Sequence, residues 1–235
     1  FDTAFHQTLP PYAYRYAVPC AWFADYGVRR YGFHGTSHQY VVSEASRFMG
    51  RPVGSLNLIS LHLGSGASAT AIRGGLSIDT SMGMTPLEGL VMGTRPGDLD
   101  PGILPYLLRH GVSPDQLDAE LSQASGLMGL CGNSDMRSVR QAASAGDDDA
   151  RVAVGMFCYR VQKYVGAYYA VLGKVDALVF TAGIGENDAE IRQSVVQGLE
   201  AFGLALDPRK NRSDGTATRA IHADSSATAI LVIPA

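Results

Sequence analysis

The stretch Leu56–Ile72, LNLISLHLGSGASATAI, decides the fold. Its first eight residues, Leu56–Leu63, read as a buried strand: a short apolar run in which only Asn57, Ser60 and His62 are polar. The run ends at Gly64-Ser65-Gly66. An extended pattern resumes over Ala67–Ile72, and after Gly74-Gly75 it continues over Leu76–Ile78, which reads as a hairpin. Glycines directly after a buried strand let backbone N–H groups come close to a ligand, an arrangement that suits phosphate. Ser68 and Thr70 add hydroxyl donors. A plain hairpin turn explains the same glycines equally well.

Outward from this core the chain alternates helix and strand, which places it in the α/β class. His38–Met49 has Val41, Val42, Ala45, Phe48 and Met49 at helical spacing, with Thr36 or Ser37 as the cap and Gly50 as the stop. Asp100–Gly111, with Pro101 near its first turn, and Asp115–Leu121 read as two further helices. Ala150–Leu172 is the longest helical candidate, with one apolar face made by Phe157, Val161, Tyr164, Val165, Tyr168, Val171 and Leu172 and a stop at Gly173. Ala177–Phe180 reads as a short strand, Asp188–Phe202 as a helix and Ala229–Ile233 as a last strand. No repeat of fixed period occurs. Ala142–Asp149 and Asp207–Thr218 read as mobile polar stretches. The three aspartates Asp147–Asp149 read as a solvated loop or a helix start, not as a metal site, because adjacent acids point in different directions.

Bulk properties exclude several functions. The 235 residues carry a formal net charge of −3, and 17% of them are charged. Binding to nucleic acid requires clustered Lys and Arg, and none are seen. No apolar run approaches the roughly 20 residues that span a bilayer, and no signal peptide is visible, so no membrane partner is expected. Cys20, Cys131 and Cys158 are odd in number and far apart, which fits a reducing compartment; the cytoplasm is the expected location. Phe1 is not an initiator, and both ends break off within pattern. The chain is expected to be a piece of a longer protein.

Four segments besides the glycine turn carry chemistry. In Val179–Asn187, VFTAGIGEN, a strand meets Gly183-Ile184-Gly185 and then an acidic helix start, which reads as an anion or nucleotide site. Asp188 occupies the place of the third glycine in a dinucleotide fingerprint, so that motif alone is weak. In Arg29–His38, RRYGFHGTSH, His34 and His38 are four apart, the spacing of a zinc pair on a helix. Gly35 puts His34 in the turn ahead of the helix, which argues against zinc and for a donor to a phosphoryl oxygen; His38 reads as a structural histidine. In Ser81–Pro101, Arg95 stands alone on a loop of glycines and prolines, suited to phosphate or carboxylate, or else to a salt bridge with Asp98 or Asp100. In Phe1–His6, FDTAFH, Asp2 reads as a base, a metal ligand or a cap for the next turn, with the cap favoured.

Taken together, the blocks FDTAFHQTLP, RRYGFHGTSH, LHLGSGAS, DTSMGMTPLEGLVMGTRPGDLDP, SGLMGLCG and VFTAGIGEN resemble those of the acetate kinases, in that family's order. The resemblance implies a ribonuclease-H-like domain of the acetate and sugar kinase, heat-shock protein and actin superfamily. Residues 1–235 would form the second, nucleotide-holding and dimerising domain of a two-domain kinase, with the first domain absent. It implies reversible phosphoryl transfer between ATP and acetate, giving ADP and acetyl phosphate, in a homodimer. By the same resemblance Asp2, His34 and Arg95 are catalytic. His62, Leu63, Gly64, Ser65 and Gly66 hold the ATP phosphates; Asp135, Met136 and Arg137, with Gly183, Ile184, Gly185, Glu186 and Asn187, hold the nucleotide. Phe33 and Pro86 line the pocket for the acetate methyl. Mg²⁺ or Mn²⁺ accompanies the ATP, and the family's metal ligands fall outside this chain, which therefore holds no metal site of its own. Ser65 departs from the family's usual Asn. A propionate or butyrate kinase, and a non-catalytic nucleotide-binding or dimerising domain, are the competing expectations. The isolated chain is expected to be inactive, since half the cleft would be missing.

Overall fold

The computed structural model describes residues 2–213 and 215–235. Phe1 of the FDTAFH segment and Asp214 of the Asp207–Thr218 stretch lie outside them. Six strands form one sheet in the order β3-β2-β1-β4-β6-β5: β1 (Asn57–Leu63), β2 (Ala67–Arg73), β3 (Leu76–Thr80), β4 (Ala177–Thr181), β5 (Arg219–Ala220) and β6 (Ala229–Val232). β1, β2 and β3 pair antiparallel, while β1, β4 and β6 run parallel. Three antiparallel strands followed by parallel ones, with helices on both faces, are the ribonuclease-H-like arrangement expected from the sequence.

Alternation along the strands sorts their side chains. Ile59, Leu61 and Leu63 of β1, with Leu178 and Phe180 of β4, face the long helix Asp148–Leu172. Leu58, Ile72, Val179 and Leu231 face the helix Gly35–Met49. The even positions of β1 and β2 also include Ser60, His62, Ser68 and Thr70. This polar set sits under the N-terminal turn of Gly35–Met49. Ser60, Ser68 and Thr70 are fully buried and all three are hydrogen-bonded, as buried polar groups must be.

Several local expectations are corrected. The helix expected at His38 begins at Gly35, with His34 at the N-cap, so Thr36 and Ser37 lie inside its first turn and cap nothing. Gly50 ends it in the left-handed region, φ 62°. Asp100–Gly111 contracts to Ile103–Arg109. Asp188–Phe202 is not one helix. Asp188 caps Ala189–Val196, and Gly198, at φ 85°, separates it from a 3-10 turn at Glu200–Phe202. Gly183-Ile184-Gly185 is not a glycine turn but lies within the helix Ala182–Asn187, and the positive φ belongs to Ala182 at 64°. On the long helix Val171 is exposed, while Cys158 and Tyr169 are buried. Burial pushes the Cys158 thiol up to about 12.

The two stretches expected to be loops contain helices. Met136–Ser144 runs through the start of Ala142–Asp149, and the Asp147 side chain caps the long helix at Ala150 N–H, so the aspartate run is a helix start. In Asp207–Thr218, Asp207 caps Pro208–Asn211. Asn211 is held by Arg192, whose buried guanidinium also donates to the Gly185 and Glu186 carbonyls at 2.9 and 2.8 Å. Burial lowers the Arg192 pKa to about 10.

Candidate active site

His34 stands at the entrance of its helix with φ 56°, a conformation that costs a non-glycine residue on the order of 1 kcal/mol. Asp2 holds it there. The Asp2 Oδ2 accepts from His34 N–H at 2.7 Å, and the Asp2 carbonyl accepts from Gly35 N–H at 2.8 Å. Asp2 does not cap the turn that follows it: Ala4–Thr8 has Thr3 at its N-cap and no side-chain cap bond, and the Asp2 carboxylate holds the distant His34 N–H instead. His6 secures the same corner: its Nε2 donates to the Phe33 carbonyl at 2.9 Å, and its Nδ1 meets the Ser77 hydroxyl.

The His34 ring stacks on His62, with centroids 4.1 Å apart, and its Nδ1 lies 2.9 Å from Ser68 Oγ. Ser37 Oγ holds His62 Nδ1 at 2.9 Å. Burial lowers the pKa of His34, with Arg95 adding to the effect and Asp2 opposing it; burial also takes His62 down to about 4. Both rings are therefore neutral near pH 7. His38 is fully buried, held by Ser60 and Ser68, and is the structural histidine expected. Both of its ring nitrogens are taken by these two serines.

Arg95 makes no ion pair with Asp98 or Asp100 among the described residues. Asp98 instead accepts from Gly89 N–H and the Tyr164 hydroxyl, and Asp100 from Gly102 N–H. Arg95 Nη1 donates to the Pro86 carbonyl at 2.9 Å, and its pKa is lowered by burial alone. Its loop is tied on two sides. Arg30 Nη1 donates to the carbonyls of Thr80, Ser81 and Met82, and its Nη2 pairs with Glu88, which also accepts from Tyr16. Arg160 of the long helix donates to the Gly89 carbonyl at 2.9 Å.

Gly66 is where the two chemical groups meet. A Cβ there would lie 2.7 Å from Arg95 Nη2 and 3.2 Å from His34 Nε2. Gly66 does not need a positive φ; its missing side chain leaves the space that both nitrogens face. In the same turn, Gly64 and Ser65 line a cavity of about 680 Å³, a volume that holds a nucleoside.

That cavity also takes in Asp135, Met136, Arg137, Gly183, Ile184 and Asn187, so most of the expected nucleotide residues converge on it. His62, Leu63, Gly66, Gly185 and Glu186 do not line it. The Leu63 side chain is fully buried in the core, so Leu63 can offer only backbone. Phe33 packs partly against the core, and Pro86 has its carbonyl taken by Arg95. Sequence reasoning missed Ser134, Arg140, Asp188, Glu190 and Arg212 on the cavity wall. Arg140 clasps both Asp188 oxygens, at 2.8 and 2.9 Å, and pairs with Glu190. The i, i+2 acids after the GIGEN block were the available signal; their arginine lies in a helix the sequence reading did not assign.

The model of the acetokinase family matches residues 1–235. An acetate kinase of Sulfurovum is 56% identical over 236 residues, covering 100% of this chain and 60% of that protein. One of Syntrophobacter fumaroxidans is 54% identical, with 57% of its length covered. The crystal structure of Porphyromonas gingivalis acetate kinase superposes with a TM-score of 0.96 at 43% identity over 100% of this chain and 59% of that one. A propionate kinase from Francisella tularensis superposes with a TM-score of 0.94 at 46% identity, over 100% and 60%. The chain thus spans about three-fifths of the length of the relatives it matches, and it belongs to the acetokinase family.

Proposed function

We propose that this chain is the nucleotide-holding second domain of a carboxylate kinase that moves a phosphoryl group between ATP and acetate, giving ADP and acetyl phosphate. One observation carries this reading: the Gly64–Gly66 turn borders a nucleoside-sized cavity at Gly64 and Ser65 and the Arg95–His34 pair at Gly66. A polyphosphate lying along the turn would join them.

Acetate is ionised at neutral pH, since carboxyl pKa values are near ~4, so the nucleophile needs no general base. The barrier lies in bringing an anion to a polyanion and holding the two in line. Arg95 supplies charge and His34 a neutral N–H donor to the equatorial oxygens. Asp2 positions His34 through its backbone. His62–Gly66, Asp135–Arg137 and Gly183–Asn187 hold the nucleotide, Leu63 and the buried Gly185 through backbone only; Phe33 and Pro86 border the acyl site. Mg²⁺ or Mn²⁺, entering with ATP, would neutralise the bridging phosphate charge. Asp2, beside His34, would orient water on that cation, whose carboxylate ligands are expected outside this chain.

The test is Arg95→Ala in the complete gene product. Turnover should fall by ~10³ or more, as for an arginine finger; a loss confined to KM would reject the role. The isolated chain should make no acetyl phosphate from acetate and ATP. A second reading, a propionate kinase, is favoured by the similarity to the Francisella protein. One methylene is worth only ~1–3 kcal/mol, so kcat/KM on acetate, propionate and butyrate decides. The domain also pairs with a second copy: Val152, Met156 and Tyr159 form an exposed stripe on the long helix, and sedimentation should show a dimer. No helix of the described residues is long and apolar enough to cross a membrane, in keeping with a cytoplasmic enzyme.

A further inference from the structure

His34 Nε2 can serve the phosphoryl group only if it carries the ring proton. A neutral imidazole has one N–H, and which nitrogen holds it is set by what the other nitrogen meets. Here the other nitrogen enters a buried chain. His34 Nδ1 is 2.9 Å from Ser68 Oγ, Ser68 Oγ is 2.8 Å from His38 Nε2, and His38 Nδ1 is 2.8 Å from Ser60 Oγ. Ser60, Ser68 and His38 are fully buried, and burial drives His38 well below the ordinary histidine range, so it too is neutral.

Such a chain has two polarities. In one, Ser60 O–H donates to His38 Nδ1, His38 Nε2–H to Ser68 Oγ, and Ser68 O–H to His34 Nδ1. Every buried proton then has an acceptor, and the His34 proton lies on Nε2, facing the space above Gly66. In the other, His34 Nδ1–H donates inward, every link reverses, and the Ser60 hydroxyl proton is left over. Ser60 Oγ has no hydrogen-bond partner except His38 among the described residues, so that proton would be buried without an acceptor. An unmade buried donor is costly, and the first polarity wins.

We infer that Ser60, His38 and Ser68 are positioning residues that hold His34 in the Nε2–H tautomer, with Ser60 setting the direction of the whole chain. The consequence for catalysis rests on the phosphoryl-transfer reading above; the tautomer itself does not. The groups facing His34 from its surroundings are Asp2, Arg95, His6 and the stacked His62. None of them donates to Nδ1 in place of Ser68.

The experiment is ¹⁵N–¹H correlation through the imidazole rings of the complete gene product labelled only at histidine, with His34 assigned by comparison with His34→Gln. The wild type should show one tautomer at His34, protonated on Nε2. Ser60→Ala, a buried small-for-small change, should leave the fold intact and convert His34 to a tautomer mixture. Turnover should fall about two- to fivefold as the competent fraction drops, with the nucleotide KM unchanged. Ser68→Ala should abolish the preference as well. A wild-type His34 protonated on Nδ1 overturns the inference, as does a Ser60→Ala protein that keeps the single Nε2–H tautomer. If the complete gene product phosphorylates no carboxylate, the functional reading fails while the tautomer measurement still decides this inference.

Discussion

Gly66 shows how one missing side chain can organise a site. The backbone there would accept alanine, because φ is not positive. The added Cβ would nevertheless press on Arg95 Nη2 and His34 Nε2. Arginine is flexible and would move aside at little cost to the fold. Gly66→Ala should therefore leave the urea midpoint nearly unchanged, within about 0.5 kcal/mol, yet lower kcat on the order of 10²-fold, as expected when a reacting group is displaced by about 1 Å. Equal losses of stability and activity would mean that the glycine serves the hairpin alone. At this scale the sequence singled out Gly66, His34 and Arg95 as candidates. It did not say that Arg95 is free of Asp98, because that depends on Tyr164 and Gly89 reaching the carboxylate from other parts of the chain.

The element that matters most is the pair of helices after β4. A single residue, Asp188, ends Ala182–Asn187 and caps Ala189–Val196: its Oδ1 accepts from Glu190 N–H and Ile191 N–H while both oxygens bind Arg140. The cap also sits on the cavity wall. Asp188→Ala removes the cap and leaves Arg140 with only Glu190. It should cost about 2 kcal/mol in denaturant unfolding and weaken nucleotide binding, while Asp188→Asn, which keeps the cap, should retain most of the stability. Equal effects of the two substitutions would place the whole contribution on the Arg140 ion pair. The sequence showed an acid-rich helix start here but extended it to Phe202, since the apolar period continues past Gly198 and only the chain's turn around that glycine breaks it.

Across the whole molecule, the sheet is apolar on one face and has a polar corner on the other, where His34, His38 and His62 are collected. All three have pKa values lowered chiefly by burial. A depressed folded-state pKa means that the unfolded chain binds protons first on acidification. The stability these rings support is complete above the ordinary histidine value of 6.5 and is lost as pH falls toward the folded values, about 4 for His62. Thermal melts from pH 7.5 to 4.5 should show a steep fall below pH 6.5, with a slope of up to about 1.4 kcal/mol per pH unit for each ring. A shallower slope in His38→Gln and His62→Gln together, with the part due to His34 remaining, would confirm its source, and a flat profile in the wild type would contradict it.

The sequence by itself determined the α/β class, the β2–β3 hairpin, the long helix and the family, because strand burial, turn glycines and helical period are local patterns and the motif blocks are contiguous. Only the tertiary structure decided what those residues do together. It turned the expected glycine turn at Gly183–Gly185 into a helix, brought Asp2 to the His34 N–H, and set Arg95 and His34 over Gly66. It also threaded Ser60, Ser68 and His38 behind His34. These are matters of distance between side chains far apart in the chain, and they follow from the sheet register that brings β1 beside β2 and β4, which no local pattern in the sequence encodes.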